Sequence, residues 1–597
     1  MIEINNFIFF YICLSLIFVI GLFGISNNIL FFLNKSNKKN NQSLIFESVC
    51  LFIIIIIGLA SLIQIFYLFQ IPKHKFFYTL FLVIVFFGIY FIFKKKNFIL
   101  ENKLSFDIKI YVNFLIILFF ILSISPPTDI DSADYHLGAA LKWFNEDVYA
   151  PDYTWLHYRF VGLGENLNLI GVYFKTYNFG QIFQFLGLLF ALYFGKFFLK
   201  SKYEKIFFSL FILSSPVLIF LVSTQKFQLL PSSLIFCSFL ILFYIKKITN
   251  FKILFIMSSI LFSIGCKISY VFPGLSIVVV LLVKAFYQKK ILNLFLISFI
   301  LFTIILVPLY FRNFFYYGDP ISPILEKFKI NSDQSLINFL NYNKTFAQNF
   351  ENNLQFIKYI FFPNSFAKFT ESLGLLPLTL LFINFKKINK TSLRLLFFSF
   401  LVCLIIFFSY RGLGRYYLEF YFMIAFIVAK NYQHLFFKRF IMFFLIISSI
   451  LVLMPLLYSF FSLSYGVINK NYWEHVMNRK AFGYSAANWV NNNINETSKK
   501  EKILLSGVRF YSFFENKFVS HQYYEYDYLK KTSDLIIKEK INYIFYLKDS
   551  FSANYFEKCI EYADKKVGVF ENSFRNPFNQ SEDKMIGYLI RIKKINC

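Results

Sequence analysis

The chain has 597 residues, 57% of them hydrophobic, and a formal net charge of +28 at pH 7. Apolar runs near twenty residues long recur along it, which excludes a soluble protein. The Lys and Arg gather in short loops between those runs, the signature of membrane topology, so no nucleic-acid partner is read from the charge.

The start, MIEINNFIFF, lacks the positive region and small-residue cleavage site of a signal peptide, and its apolar run is read as a retained span. Four runs come first, at Phe7 to Phe31, Leu44 to Phe69, Phe76 to Phe93 and Ile108 to Ser125. Six follow an acidic stretch, at Phe179 to Leu199, Lys205 to Val222, Pro231 to Ile245, Ile253 to Cys266, Ser269 to Ala285 and Ile291 to Phe311. Ser372 to Phe385, Leu393 to Ser409, Tyr416 to Val428 and Phe440 to Leu463 complete about fourteen spans.

Alternate loops are basic, from Asn34 to Ser43 through Lys94 to Lys103 and on to Lys430 to Arg439, and these face the cytoplasm. The N-terminus, the acidic stretch and the tail then lie outside. Tyr317 to Thr370 reads as polar and amphipathic pieces on that outer surface.

In the tail from Ser464, Tyr472 to Asn493 reads as a helix and KILLSG as a strand. Tyr528 to Lys540 is a predicted helix before the strand INYIFYLK, Phe551 to Asp564 a further helix, and MIGYLIRIKK a closing strand. That alternation describes a small α/β domain, and without a Gly-rich phosphate loop it is read as accessory or acceptor-docking. The seven cysteines show no metal-ligand spacing; Cys559 and Cys597 are the pair open to oxidation.

Chemistry concentrates in PPTDIDSADYHLGAALKW, Pro126 to Trp143, where Asp129, Asp131, Asp134 and His136 follow directly on a span. Acidic groups beside a bilayer are costly and mark function by default. Four outer-side cations face them by the same topology: Lys226, Lys267, Arg312 (followed by Asn313) and Arg415. Against the positive-inside bias, such cations require a phosphate, an acid or a headgroup.

Each has a plainer reading. Asp129 or Asp131 caps a helix starting near Ser132, Lys267 snorkels, and Arg312 anchors at the interface. Trp143, Tyr149, Tyr153, Trp155 and Tyr158 form an interfacial aromatic belt.

PPTDIDSADYHL, the Lys of SIGCKISY, RNFFYYGDPISP and RYYLEF occur in the order found in GT-C superfamily glycosyltransferases. The chain resembles the bacterial relatives of protein O-mannosyltransferases and of the aminoarabinose lipid A transferase, over roughly Ile108 to Leu463. The resemblance implies a bacterial inner-membrane enzyme, GT-C-like and inverting, with its N-terminus, active site and tail in the periplasm. It implies transfer of a sugar from a polyprenyl-phosphate-linked donor to a hydroxyl of a lipid, glycan or protein acceptor.

By the same resemblance Asp131, then Asp129, is the catalytic carboxylate. Lys267 and Arg312 with Asn313 contact donor phosphate, followed by Arg415 and Lys226, and His136 is a hydrogen-bonding or acceptor contact. The adjacent Asp-Glu pair of the mannosyltransferases is missing, so sugar and acceptor stay unassigned.

The expectation is an α-helical polytopic membrane protein with a C-terminal α/β domain: residues 1–107 as extra helices, 108–463 as the catalytic module with outer loops 126–177 and 312–371, and 464–597 as the outer domain. A transporter or flippase is the alternative from another class, though no internal repeat is visible. A polysaccharide polymerase or ligase is a further one. Asp129, Asp131 and His136 offer oxygen and nitrogen to a divalent metal, but their spacing is no metal signature, and cofactor use stays open.

Overall fold

In the computed structural model the described residues are 7–33, 41–71, 73–94, 106–149, 155–329, 332–333, 336–338, 340–341, 360–362, 366–410, 414–494, 501–514, 517–521, 528–548, 553–572 and 583–596. The apolar runs become helices because each satisfies its own backbone where no water is at hand. Seven helices are long and apolar enough to cross a membrane, or eight if the pair Ile291–Ile305 and Val307–Tyr317, bent by 42°, is one span. Pro308 sits in the first turn after the bend, where a missing N–H is tolerated.

Three shorter apolar helices, Lys109–Ile124, Leu229–Tyr244 and Asn250–Cys266, lie among the long ones. Leu229–Tyr244 is apolar on every side, and nearly all of it is buried. Leu418–Lys430 is likewise enclosed from Leu418 to Ala429. These helices form the centre of the bundle, while Phe86, Phe93, Phe295 and Phe299 of outer helices stay exposed, as lipid-facing residues must.

At the N-terminal edge, Ile8–Leu33 and His74–Lys94 cross at paired glycines. A Cβ on Gly21 would fall 2.0 Å from the Ile84 carbonyl oxygen, and one on Gly88 2.2 Å from that of Ile17. Glycine lets these backbones touch.

Two predicted spans differ. Lys205 to Val222 is two helices, Lys202–Leu213 and Val217–Val222, interrupted at Ser214 to Pro216. Ser372 to Phe385 is not an α-helix: the chain there passes through 3₁₀ turns, including Leu376–Phe382. The free backbone groups of both breaks meet, since Val217 N–H donates to the Ser372 carbonyl and Ser215 Oγ to that of Leu373.

The tail carries a five-stranded sheet in the order β2-β1-β3-β5-β4, with β1 Lys502–Ser506, β2 Phe518–His521, β3 Ile541–Leu547, β4 Ile560–Asn572 and β5 Asp583–Ile595. β1 runs parallel to β2 and β3, while β5 pairs antiparallel with β3 and β4. The helix expected at Tyr472 to Asn493 is two, Lys470–Lys480 and Tyr484–Asn493, parted at Gly483 with φ 75°. The one expected through Asp564 ends at Cys559, where β4 begins. Cys559 is disulfide-bonded, five other cysteines are free, and Cys597 lies outside the described residues.

The aromatic belt is a correction. Trp143 and Trp155 are wholly buried, and Tyr149 and Tyr158 nearly so; Tyr153 lies outside the described residues. Polar partners explain the burial: Trp155 Nε1 donates to Asp134 (2.9 Å) and Tyr149 to Asn166 (2.6 Å).

Candidate functional site

Pro126 and Pro127 end the helix Phe106–Ile124 and turn the chain across the top of the bundle. Asp129 then fixes the turn. Its carboxylate accepts from Ser132 N–H (2.9 Å), Ser132 Oγ (2.5 Å) and Thr224 Oγ1 (3.0 Å). The bond from the Ser132 N–H is that of a cap, the plainer role open to it, and the other two tie the carboxylate to hydroxyls.

Ser132–His136 forms a π turn, and Asp131 and His136 lie one i→i+5 turn apart. Asp131 accepts from Lys226 Nζ and from the Arg509 guanidinium, both at 2.8 Å. Burial alone would raise its pKa, but Lys226, Arg509 and Arg415 hold its carboxyl well below the usual range. Asp134, fully buried, receives Trp155, His157 at 2.8 Å and Arg509 Nε at 3.2 Å.

Arg509 arrives from the C-terminal domain. It follows the C-terminal end of β1 past Gly507, whose φ of 70° turns the strand out, and the crevice beyond parallel strand ends is where α/β sheets present functional groups. Ser512 Oγ donates to the Ala133 carbonyl (2.8 Å) and secures the same contact.

Lys226 and Arg415 act on Asp131, and Lys267 lies beside them on Tyr416. Lys267 stands 4.0 Å from the centre of the Tyr416 ring, and Arg415 is 5.6 Å from it. Desolvation, reinforced by Lys226 and Arg415, pushes the Lys267 ammonium down to about 8. Among the described residues neither Lys267 nor Arg415 has a carboxylate at ion-pair distance, and the buried Nε of Arg415 has no hydrogen-bond partner. Beside them opens a recess with ≈ 390 Å³ of empty volume, mouth included, walled by Tyr270, Phe272, Pro273, Ile406 and Tyr416 and by the polar Gln228, Ser269 and Glu419.

Arg312 and Asn313 are placed differently. The Arg312 guanidinium donates to Asn313 Oδ1 (2.8 Å) and the Val161 carbonyl (2.8 Å), and lies 5.4 Å from the centre of the Tyr149 ring. Asn313 in turn donates to the Pro320 carbonyl (3.4 Å), so this motif closes on its own turn.

Glu165 connects the two regions. One oxygen lies 2.5 Å from His136 Nδ1 and the other accepts from Gly162 N–H at 2.8 Å. The turn that carries it is stitched to the end of Asn250–Cys266, where Leu163 N–H donates to the Gly265 carbonyl (2.9 Å), two residues before Lys267. Glu165 and Arg509 escaped the sequence reading. Glu165 carries the signal that singled out Asp131, an acid in an apolar outer stretch; Arg509 carries none.

No group of three His, Cys, Asp or Glu suited to a metal occurs among the described residues. Asp129, Asp131 and His136 turn to Ser132 and Thr224, to Lys226 and Arg509, and to Glu165 respectively.

The family model for the DUF1420 N-terminal domain matches residues 3–477. No curated protein matches the chain. Two solved structures are similar at 10% identity and a TM-score of 0.49. ArnT from Cupriavidus metallidurans bound to undecaprenyl phosphate covers 81% of this chain with 97% of its own. The same protein in the apo state covers 80% with 96%.

Proposed function

The chain belongs to the DUF1420 family, and for it we propose a membrane glycosyltransferase that takes a sugar from a polyprenyl-phosphate-linked donor. The observation that carries this reading is the pair Lys267 and Arg415. Among the described residues neither has a carboxylate at ion-pair distance, and they stand on Tyr416 beside a largely apolar recess that Glu419 also lines, next to two more cations that share Asp131. Desolvated cations require an anion, and one with an apolar tail fits both halves of the site. A polyprenyl phosphate puts its phosphate among Lys226, Lys267, Arg415 and Arg509 and its first prenyl units in the recess.

In transfer, the bond from the sugar's anomeric carbon to the phosphate oxygen breaks, and its electron pair leaves with the phosphate. The cations stabilise that charge. The acceptor hydroxyl forms the new bond and gives up its proton. A basic group of the first loop receives it, while Asp131, paired with Lys226 and Arg509, balances the charge of the cations. The disulfide at Cys559 supports an outer, oxidising side for the tail.

The test compares cells with and without the protein by mass spectrometry of lipid-linked sugars and envelope glycans, with a Lys267→Ala/Arg415→Ala strain alongside. Accumulated polyprenyl-linked sugar and one missing modification in both defective strains are expected. Unchanged glycans with a lipid-linked species redistributed between leaflets would point to a flippase instead.

A further inference from the structure

We infer that His136, oriented by Glu165, is the proton acceptor for the incoming hydroxyl, with Asp131 as counter-ion to the donor-binding cations. The inference rests on the transfer reaction proposed above. Its anchor is one atom: His136 is 5% exposed, and its Nε2 is buried without a hydrogen-bond partner. Buried polar atoms are seldom left so, and each exception requires an explanation such as a ligand or a proton.

Every other contact of the residue fixes that nitrogen. Nδ1 faces Glu165 at 2.5 Å, so Nδ1 carries the hydrogen and Nε2 the lone pair. Glu165 is itself held by Gly162 N–H, the Tyr135 ring packs on the imidazole with centroids 4.0 Å apart, and Asn168 grips the His136 carbonyl (3.1 Å). A carboxylate that fixes the tautomer and stabilises the imidazolium is the arrangement of an activated base. His521 in the C-terminal domain shows the structural alternative, with both nitrogens bonded, to Ser506 (2.8 Å) and Thr532 (3.0 Å).

Position agrees. His136 is one turn from Asp131, and Asn168 also donates to the Gln225 carbonyl, the residue before Lys226. The groups around the pair are Asp131, Asp134 and Arg509 across Tyr135, Arg312 through Val161, and Lys267 beyond the Gly265 contact. In the step, the acceptor O–H bond breaks and its proton passes to Nε2, while the acceptor oxygen bonds to the anomeric carbon and the phosphate leaves with the electron pair.

His136→Asn keeps an amide nitrogen where Nδ1 meets Glu165 and deletes Nε2. Glu165→Gln is nearly isosteric and donates to Nδ1, moving the hydrogen to Nε2. In the full-length protein, thermal stabilisation by undecaprenyl phosphate serves as the donor-site probe, and the glycan modification as the measure of transfer. Both variants are expected to keep wild-type stabilisation while transfer falls on the order of 100-fold or more. Transfer within threefold of wild type in His136→Asn, with Asp131→Asn inactive, overturns the inference and leaves the glycosyltransferase reading intact. Should His136→Asn fail to fold, Glu165→Gln decides on the same criterion. A wild-type protein that neither binds undecaprenyl phosphate nor alters any glycan removes both.

Discussion

On the proposed reading, Lys267 makes the donor site pH-sensitive with a definite sign. Its pKa falls from the ordinary 10.5 of a lysine to about 8 in the fold, so between those values the unfolded chain holds the proton and the folded one does not. This group's contribution to stability therefore rises with pH across that window. Binding of an anion runs the opposite way, because a phosphate needs the charged ammonium. Undecaprenyl phosphate binding by the full-length protein, measured by thermal shift, is expected to weaken as pH climbs through about 8. Lys267→Met should weaken it at low pH and flatten the profile; an unchanged profile would remove Lys267 from the phosphate.

Between secondary-structure elements, the turn 161–165 is a tight joint at the site. A Cβ on Gly162 would fall 2.3 Å from the Gly265 carbonyl oxygen and 2.9 Å from that of Cys266, backbone atoms that cannot swing aside. Gly162→Ala is expected to cost about 1–3 kcal/mol of stability, as overpacking does, and to reduce transfer by displacing Glu165 from His136. Gly58→Ala is the control, since nothing lies within 4 Å of its Cβ position, and it should be neutral or slightly stabilising. Thermal unfolding and the glycan assay on the pair separate local crowding from a general helix effect.

The elements also mark what a sequence can disclose. Long apolar runs such as Leu44 to Phe69 became helices because their own composition decides the matter, and KILLSG became a strand for the same reason. Ser372 to Phe385 looks like a span by hydropathy, yet its 3₁₀ path is decided by partners at Ser215 and Val217, more than 150 residues away. Asp131, Lys226, Lys267 and Arg415 were legible because charge at an outer span end is locally anomalous. Arg509 was not, because an arginine in a polar tail is ordinary until the fold carries it to Asp131. The aromatics at Trp143 to Tyr158 misled for the complementary reason: Trp and Tyr suit an interface, but the buried Asp134 and Asn166 give them partners that pull them inward.

At the scale of the whole molecule, bundle and C-terminal domain meet through Arg509. Removing that side chain leaves Asp134 fully buried with one fewer cation and, on the proposed reading, takes a cation from the phosphate. Arg509→Ala is therefore expected to lower the undecaprenyl phosphate thermal shift and transfer together, with the C-terminal domain still folded by limited proteolysis. Transfer equal to wild type would mean that the domain merely rests on the bundle.

The span between Asp131 and Arg509, 378 positions of chain, sets a schedule for making the protein. At ordinary rates of synthesis, about 5–20 residues per second, roughly 20–75 s separates the emergence of the first-loop carboxylates from that of their guanidinium. Until then a newly inserted bundle holds Asp131 and Asp134 without Arg509. The last quarter of the chain thus licenses the first, and a ribosome that stops early leaves a bundle whose donor site is incomplete.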